Sequence, residues 1–331
     1  MAQALTTPGP RQKEKKPRRT FRQWLRDNRG FLFVSPAVLI FLVFGLYTVV
    51  YTFVLSFFRW NGLSKFSLIP PVCESPGCTF WGLRNYQDFL FRDPGVSKLF
   101  WLAIQNNVWI AVIVPAATIL IGLLVAVALN NAGRVTPILR TLMMLPMVTA
   151  GVAVYFTWSF IYLSTGPLNA ILKTVGLGFL VAGHGWLGGA NTALPALMVV
   201  MIWGTAPSAI ILYLAGLQTI DQELYEAATI DGANGWHMLW QITWPLLRPV
   251  TVIILILAIN SALQGMEMPY LMTQGGPANH TQVVGLRIFD FGFGRYPQLG
   301  MASAMGWSLF LVVFLFSLVN LRFFRSKTEG K

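Results

Sequence analysis

Seven stretches of this chain carry no charged residue: Phe31 to Phe58, Leu99 to Gly133, Thr141 to Leu172, Thr174 to Ile220, Pro249 to Met266, Met268 to Leu286 and Tyr296 to Leu321. Several exceed the roughly 20 apolar residues that cross a bilayer. Only 11% of the 331 residues are charged, against about 25% in a soluble domain, so a soluble globule is excluded. In hydrocarbon the backbone must satisfy its own hydrogen bonds, which long unbroken runs do as helices; barrel strands would alternate over about ten residues each. Allowing for loops, spans are expected near 31–58, 104–129, 141–163, 193–217, 250–272 and 299–321. The fold class is therefore read as all-α, a polytopic membrane protein of about six transmembrane helices. Pro36, Pro115, Pro146 and Pro207 fall within or near spans; each removes an N–H and either kinks its helix or is absorbed by packing.

An even number of spans puts both termini on one side, and with the N-terminus inside, the inner segments hold 16 Lys and Arg and the outer ones 8. That bias favours cytoplasmic termini. Nine of the 24 bases lie in the first 30 residues, so the net charge of +12 reads as topology rather than as a nucleic-acid surface. The first apolar run is too long for a signal-peptide core and has no A-x-A site, so an uncleaved first span is expected. Phe21, Trp24 and Leu25 at helical spacing suggest an interfacial helix over 21–29, the alternative being a disordered topogenic tail. The expected organisation is a basic cytoplasmic tail over 1–30, a transmembrane domain over 31–321 and a second cytoplasmic tail over 322–331.

Cys73 and Cys78 are too few for a disulfide scaffold and lack the partners of a zinc site. In an outer loop they either close a small turn as a disulfide or remain free thiols. His184, His237 and His280 are isolated in sequence and none is read as a ligand; no metal or cofactor is expected.

One inner segment, 221–249, is long, acidic and patterned. Asp221 is suited to cap a helix and Glu223 to its first turn. Leu224, Ala227 and Ala228 are expected on one face, where the alanines permit close approach. Gly232 can take the positive φ that ends the helix, Asn234 can cap a second one, and Pro245 is expected to stop it.

This string, Glu226-Ala227-Ala228, then Asp231-Gly232-Ala233, then Ile242 and Pro245, resembles the EAA loop of permease subunits of bacterial ABC importers. Trp244 departs from it, standing where the family usually has Leu. Phe80, Gly82, Leu83, Asn85 and Tyr86 resemble an F-x-G-L-x-N-Y stretch of carbohydrate permeases, and Gly166, Leu168, Asn169 and Leu172 a G-x-L-N-x-x-L stretch. Glu267, Tyr270, Thr273, Gly275, Gly276 and Pro277 resemble their acid-x-x-Y-x-x-T-x-G-G-P run. These motifs occur in the family's order from Phe31 to the end, as in the six-helix sugar permeases.

No G-x-x-x-x-G-K-[ST] string occurs in the chain, so ATP hydrolysis has to come from another subunit. The resemblance implies ATPase subunits that receive the loop through Glu226, Ala227, Ala228, Asp231, Gly232 and Pro245. It also implies a second permease subunit, an external sugar-binding protein, a sugar substrate and a surround of membrane lipid, with no nucleic acid. Polar and aromatic residues inside spans are candidates for the sugar path: Trp203, Ser208, Asn260, Gln264 and Glu267. The last three, at i, i+4 and i+7, are expected on one helical face, with helix packing as the alternative role for each. A secondary transporter and an ABC importer permease for a non-sugar substrate are the competing readings. A membrane enzyme would need a catalytic cluster that the scarce His, Asp and Glu do not form.

Overall fold

The computed structural model describes residues 29–69, 71–131, 136–149 and 151–328. The basic tail and the interfacial helix expected around Phe21, Trp24 and Leu25 lie outside them. The chain divides into two compact units, Met1–Thr52 and Phe53–Lys331. In the first, α1 (Arg29–Ile40) passes through a π-helical segment, Phe41–Leu46, into α2 (Tyr47–Leu55). Residues Phe33–Leu55 are long and apolar enough to cross a membrane.

In the second unit, helices of that length and polarity are α4 (Pro94–Asn131), α8 (Ala193–Leu217) and the Leu299–Leu318 part of α15 (Leu299–Thr328). Two bent pairs pass the same test together. The first is α5 (Thr136–Val148) with α6 (Gly151–Ile161). The second is Gly235–Leu246 with α12 (Arg248–Gln264), bent by 70°. The described residues thus hold four spans, or up to six counting each pair once, as a polytopic helical membrane protein requires.

Three expected boundaries shift. The second span begins at Pro94, because Asp93 caps it: its Oδ1 accepts from the N–H groups of Gly95 (3.0 Å) and Val96 (3.3 Å). At 1.5 Å per residue this helix is about 57 Å long and projects well beyond the hydrocarbon. The third span is two helices rather than one, with Pro146 inside the first. The fifth ends at Gln264, where extended Gly265 precedes a separate helix, α13 (Glu267–Thr273). Pro115 and Pro207, by contrast, sit inside unbroken helices.

Packing centres on α4 against α8. Gly122 lets the helices close, since a Cβ there would stand 2.8 Å from that of Ala209. Small residues serve this role where lipid offers no hydrophobic drive to associate. Leu123, Ala126, Tyr213, Leu217, Leu247 and Ile254 form the adjoining core, and the Tyr213 hydroxyl donates to Thr251 Oγ1 at 3.0 Å. On the other side of α4, Phe100 and Ala103 meet Val284 of α14 (Val284–Phe293) and Met301 and Met305 of α15.

The loop after α2 contains elements that no apolar periodicity announced. Strands β1 (Phe58–Trp60) and β4 (Cys78–Phe80) pair antiparallel, and so do β2 (Phe66–Leu68) and β3 (Pro71–Cys73). A Cys73–Cys78 disulfide joins the two ladders, with 5.3 Å between the Cα atoms. Buried Asn85 holds the base of this loop by donating from Nδ2 to the carbonyls of Ser56 (2.8 Å) and Phe58 (2.9 Å). Tyr86 donates to Ser56 Oγ at 2.8 Å. A second buried amide, Asn169 in α7 (Pro167–Thr174), donates to the carbonyls of Ser164 (3.0 Å) and Ala182 (3.1 Å) and accepts from the Trp186 indole at 2.9 Å. Both motif asparagines therefore tie loops together, each side-chain amide donating to carbonyls of separate stretches of backbone.

Candidate functional site

Two features stand out, a sharp turn in the segment 221–249 and a cavity among the helices. Helix α9 (Gln222–Ile230) starts after Asp221, whose backbone is extended as a cap requires, although its side chain makes no capping hydrogen bond. Gly232 takes φ +79°. Its N–H donates to the Thr229 carbonyl (3.1 Å) and the Ala233 N–H to that of Ala228 (2.9 Å). This is a Schellman closure, which needs the left-handed conformation that glycine adopts without a Cβ penalty.

The faces of α9 differ from the expected grouping. Tyr225 and Ala228 turn inward, where the Tyr225 hydroxyl lies 3.0 Å from Thr243 Oγ1. Leu224, Glu226 and Ala227 are exposed. Leu224 and Ala227 thus share the outward side without Ala228. The loop is held by a tyrosine that the pattern of alanines did not single out.

Asn234 caps the next helix, its Oδ1 accepting from the His237 N–H at 2.9 Å. Helix α10 (Gly235–Met238) continues through a π-helical turn, Leu239–Thr243, into α11 (Trp244–Leu246). Pro245 does not stop it. The proline ring clashes with the carbonyl four residues back, and a wider π-turn at that point accommodates such a ring; the chain bends at Leu247 instead.

A cavity of about 510 Å³ lies between α6, α8, α12 and α13. Trp203 and Thr205 come to it from α8, Tyr155 from α6, Ser261 and Gln264 from α12, and Glu267 from the first turn of α13. The wall therefore joins two aromatic side chains to an amide, a carboxylate and several hydroxyls. Trp203 is steadied by Trp158, ring centroids 5.8 Å apart and edge to face. An adjoining cavity of about 240 Å³ shares Gly204, Thr205, Ala258 and Ser261 and adds Ser208 and Thr118. Thr118 and Thr205 are joined by a 2.9 Å hydroxyl contact.

Of the five residues expected on a path, Trp203, Gln264 and Glu267 line the larger cavity and Ser208 the smaller. Asn260 lines neither; its Oδ1 is buried with no hydrogen-bond partner among the described residues. Asn260, Gln264 and Glu267 do not share one helical face, because the helix ends at Gly265. Gln264 and Glu267 meet at the cavity across that break rather than along a helix. Tyr155, Thr205 and Ser261 were missed, though the same signal, a hydrogen-bonding side chain within an apolar span, marks all three.

The family model for the binding-protein-dependent transport system inner membrane component matches residues 118–327. The trehalose/maltose transport system permease protein MalF of Thermococcus litoralis is 33% identical over 302 residues, covering 91% of this chain and 95% of that protein. Among solved structures, a chain of a bacterial ABC transporter involved in the import of the acidic polysaccharide alginate is similar at TM-score 0.73 and 22% identity, over 92% of this chain and 99% of that one. A further structure, of a bacterial alginate ABC transporter in complex with an alginate pentasaccharide-bound periplasmic protein, is similar at TM-score 0.69 and 20% identity, over 91% and 95%. These two likenesses are likenesses of fold. With its helical spans, its glycine-turned loop and a family match that takes in that loop and most of the cavity lining, the chain belongs to the binding-protein-dependent transport system inner membrane component family, as a multi-pass membrane subunit of an ABC transporter.

Proposed function

We propose that this chain forms part of the sugar path of an ATP-driven importer and takes its power stroke from separate ATPase subunits. The cavity carries the reading: Trp203 and Tyr155 offer aromatic faces, while Gln264, Glu267, Ser261 and Thr205 offer donors and acceptors. Sugars are bound by that mixture, with polar groups fixing orientation and apolar faces supplying burial. The trehalose/maltose transport named for the relative that is 33% identical supports a carbohydrate. Helix α9 is the coupling element, with Glu226 exposed to pair with a cation on the ATPase and Ala227 beside it permitting close approach. Ala228 faces inward on that element, Asp231 and Gly232 close its end, and Pro245 lies in the helix that follows. A second permease subunit completes the path, a sugar-loaded external protein delivers to it, and both termini lie in the cytoplasm.

Reconstitution of the chain with its ATPase, second permease and external binding protein in proteoliposomes tests this reading. Uptake of labelled oligosaccharide should require ATP and all the partners. Glu226→Ala should reduce it about tenfold, the scale of one lost charge-assisted hydrogen bond. Uptake that runs on an ion gradient without ATP would return the chain to the secondary-transporter reading.

A further inference from the structure

The inner segment carries an aromatic stripe that neither the cavity nor the ATPase contact uses. Trp236, Trp240 and Trp244 recur every four residues, and their rings form a ladder with centroids 5.5 Å and then 5.9 Å apart. Trp236 is 63% exposed and Trp240 38%, while Trp244 is half-buried against the core. Past the bend at Leu247, Arg248 is exposed at the start of α12. Leu239, Thr243 and Leu247, each one residue before Trp240, Trp244 or Arg248, are buried on the adjoining side. The stripe is thus an exposed face of a helix that the protein already grips along its flank.

Its direction says what covers it. Helix Gly235–Leu246 meets α12 at 70°, and α12 belongs to a span, which tilts from the bilayer normal by about 20° on average. The helix before the bend therefore lies much closer to the membrane plane than to its normal. Helices in that position set indoles at the acyl boundary and cations among the headgroups. Exposed indoles leading into a span and ending on an arginine match a lipid surface in both polarity and charge sign. Helix α9, across the Gly232 turn, presents Glu226 and Ala227 instead.

We propose that the Trp236–Trp240–Trp244 ladder, with Arg248, rests in the headgroup region of the cytoplasmic leaflet and fixes the height at which α9 meets its ATPase. The lipid contact rests on the membrane placement and orientation of the chain and is independent of which substrate is carried. Trp244, the departure from the usual leucine, is the rung that connects the exposed indoles to the core.

The test compares the whole importer complex with its W236F/W240F variant in nanodiscs of phosphatidylcholine and phosphatidylglycerol, with and without bromines on the upper acyl carbons. The emission lost on double substitution belongs to the two exposed indoles. Bromolipid should quench that difference by roughly half or more, as a place at the acyl boundary requires, and aqueous iodide should leave it nearly unchanged. A difference emission indifferent to bromine overturns the proposal; quenching by iodide then assigns the face to water, and protection from both quenchers assigns it to the ATPase. If the double variant does not assemble, W240F alone gives the same reading, since it keeps Trp236 and Trp244.

Discussion

Asn107, in the middle of the longest helix, accepts the Val284 backbone N–H through its Oδ1 at 2.9 Å. Its Nδ2 donates to the Leu263 carbonyl at 3.2 Å. One amide therefore bridges the frayed end of α12 and the start of α14, two backbone groups that helix geometry leaves orphaned. Asn106 beside it donates to the carbonyls of Gln282 (2.8 Å) and His280 (3.1 Å). Asn107 thus ties down the end of α12 beside Gln264, and Asn106 the loop that leads into α14.

Replacing Asn107 by Leu keeps most of the volume and strands both backbone groups. Each buried unsatisfied group costs about 1–3 kcal/mol, so thermal melting of the purified protein should fall clearly. Asn107→Asp would set a buried carboxylate against the Leu263 carbonyl, so it should melt at least as low as the leucine variant. Equal melting of Asn107→Leu and wild type would remove the bridge from any account of stability.

How much of this was legible in the sequence depended on whether the signal was local. The turn at Gly232 was readable because a Schellman closure requires a residue that tolerates positive φ, and the cap at Asn234 because it sits beside the helix it starts. The break at Gly265 was not: the charge-free pattern runs straight through it, and glycine is common inside membrane helices. The Asn107 bridge spans 177 positions; only the rule that a polar residue within a span has a reason could have flagged it, and that rule names no partner. The same limit explains Asn260, which has the composition of a path residue and lines neither cavity. The short ladders of the outer loop escaped because three-residue strands carry too little alternation to register.

Gly232→Pro tests the coupling turn. Proline holds φ near −65°, and the native value is +79°. The Schellman hydrogen bond from the Gly232 N–H to the Thr229 carbonyl is lost with the substitution as well. Strain of about 1–3 kcal/mol is expected at this one turn, so the spans should insert and the protein should be recovered from membranes. ATP-driven uptake should nevertheless collapse, because α9 would leave the loop at a different angle. Uptake at the wild-type rate in reconstituted vesicles would end the coupling role of this loop.

The outer disulfide yields a separable result. Cys73 and Cys78 close a small loop that joins two strand pairs, and a closure of that size contributes about 2 kcal/mol in the chain-entropy model. A double Cys→Ala variant should melt earlier while its cavity residues, carried by other elements, still support uptake. If a membrane-impermeant thiol reagent modified both cysteines in intact cells without reductant, the bond would be absent from the working protein.

Gln264→Leu asks whether the cavity recognises a substrate or merely exists. The side chain lies in the last turn of α12 and lines the same cavity as Trp203, without a protein hydrogen bond among the described residues that depends on its amide. Leucine keeps much of the volume and removes one donor and one acceptor. If a sugar hydroxyl uses that amide, uptake at low substrate should fall by about the worth of one hydrogen bond, roughly 0.5–1.5 kcal/mol or two- to tenfold, while melting stays near wild type. Packing predicts the reverse order of effects, since a leucine among apolar neighbours disturbs or improves the fold without touching selectivity. Uptake and melting measured on one preparation therefore separate the two roles, and a drop in melting that matches the drop in uptake would take Gln264 off the sugar path.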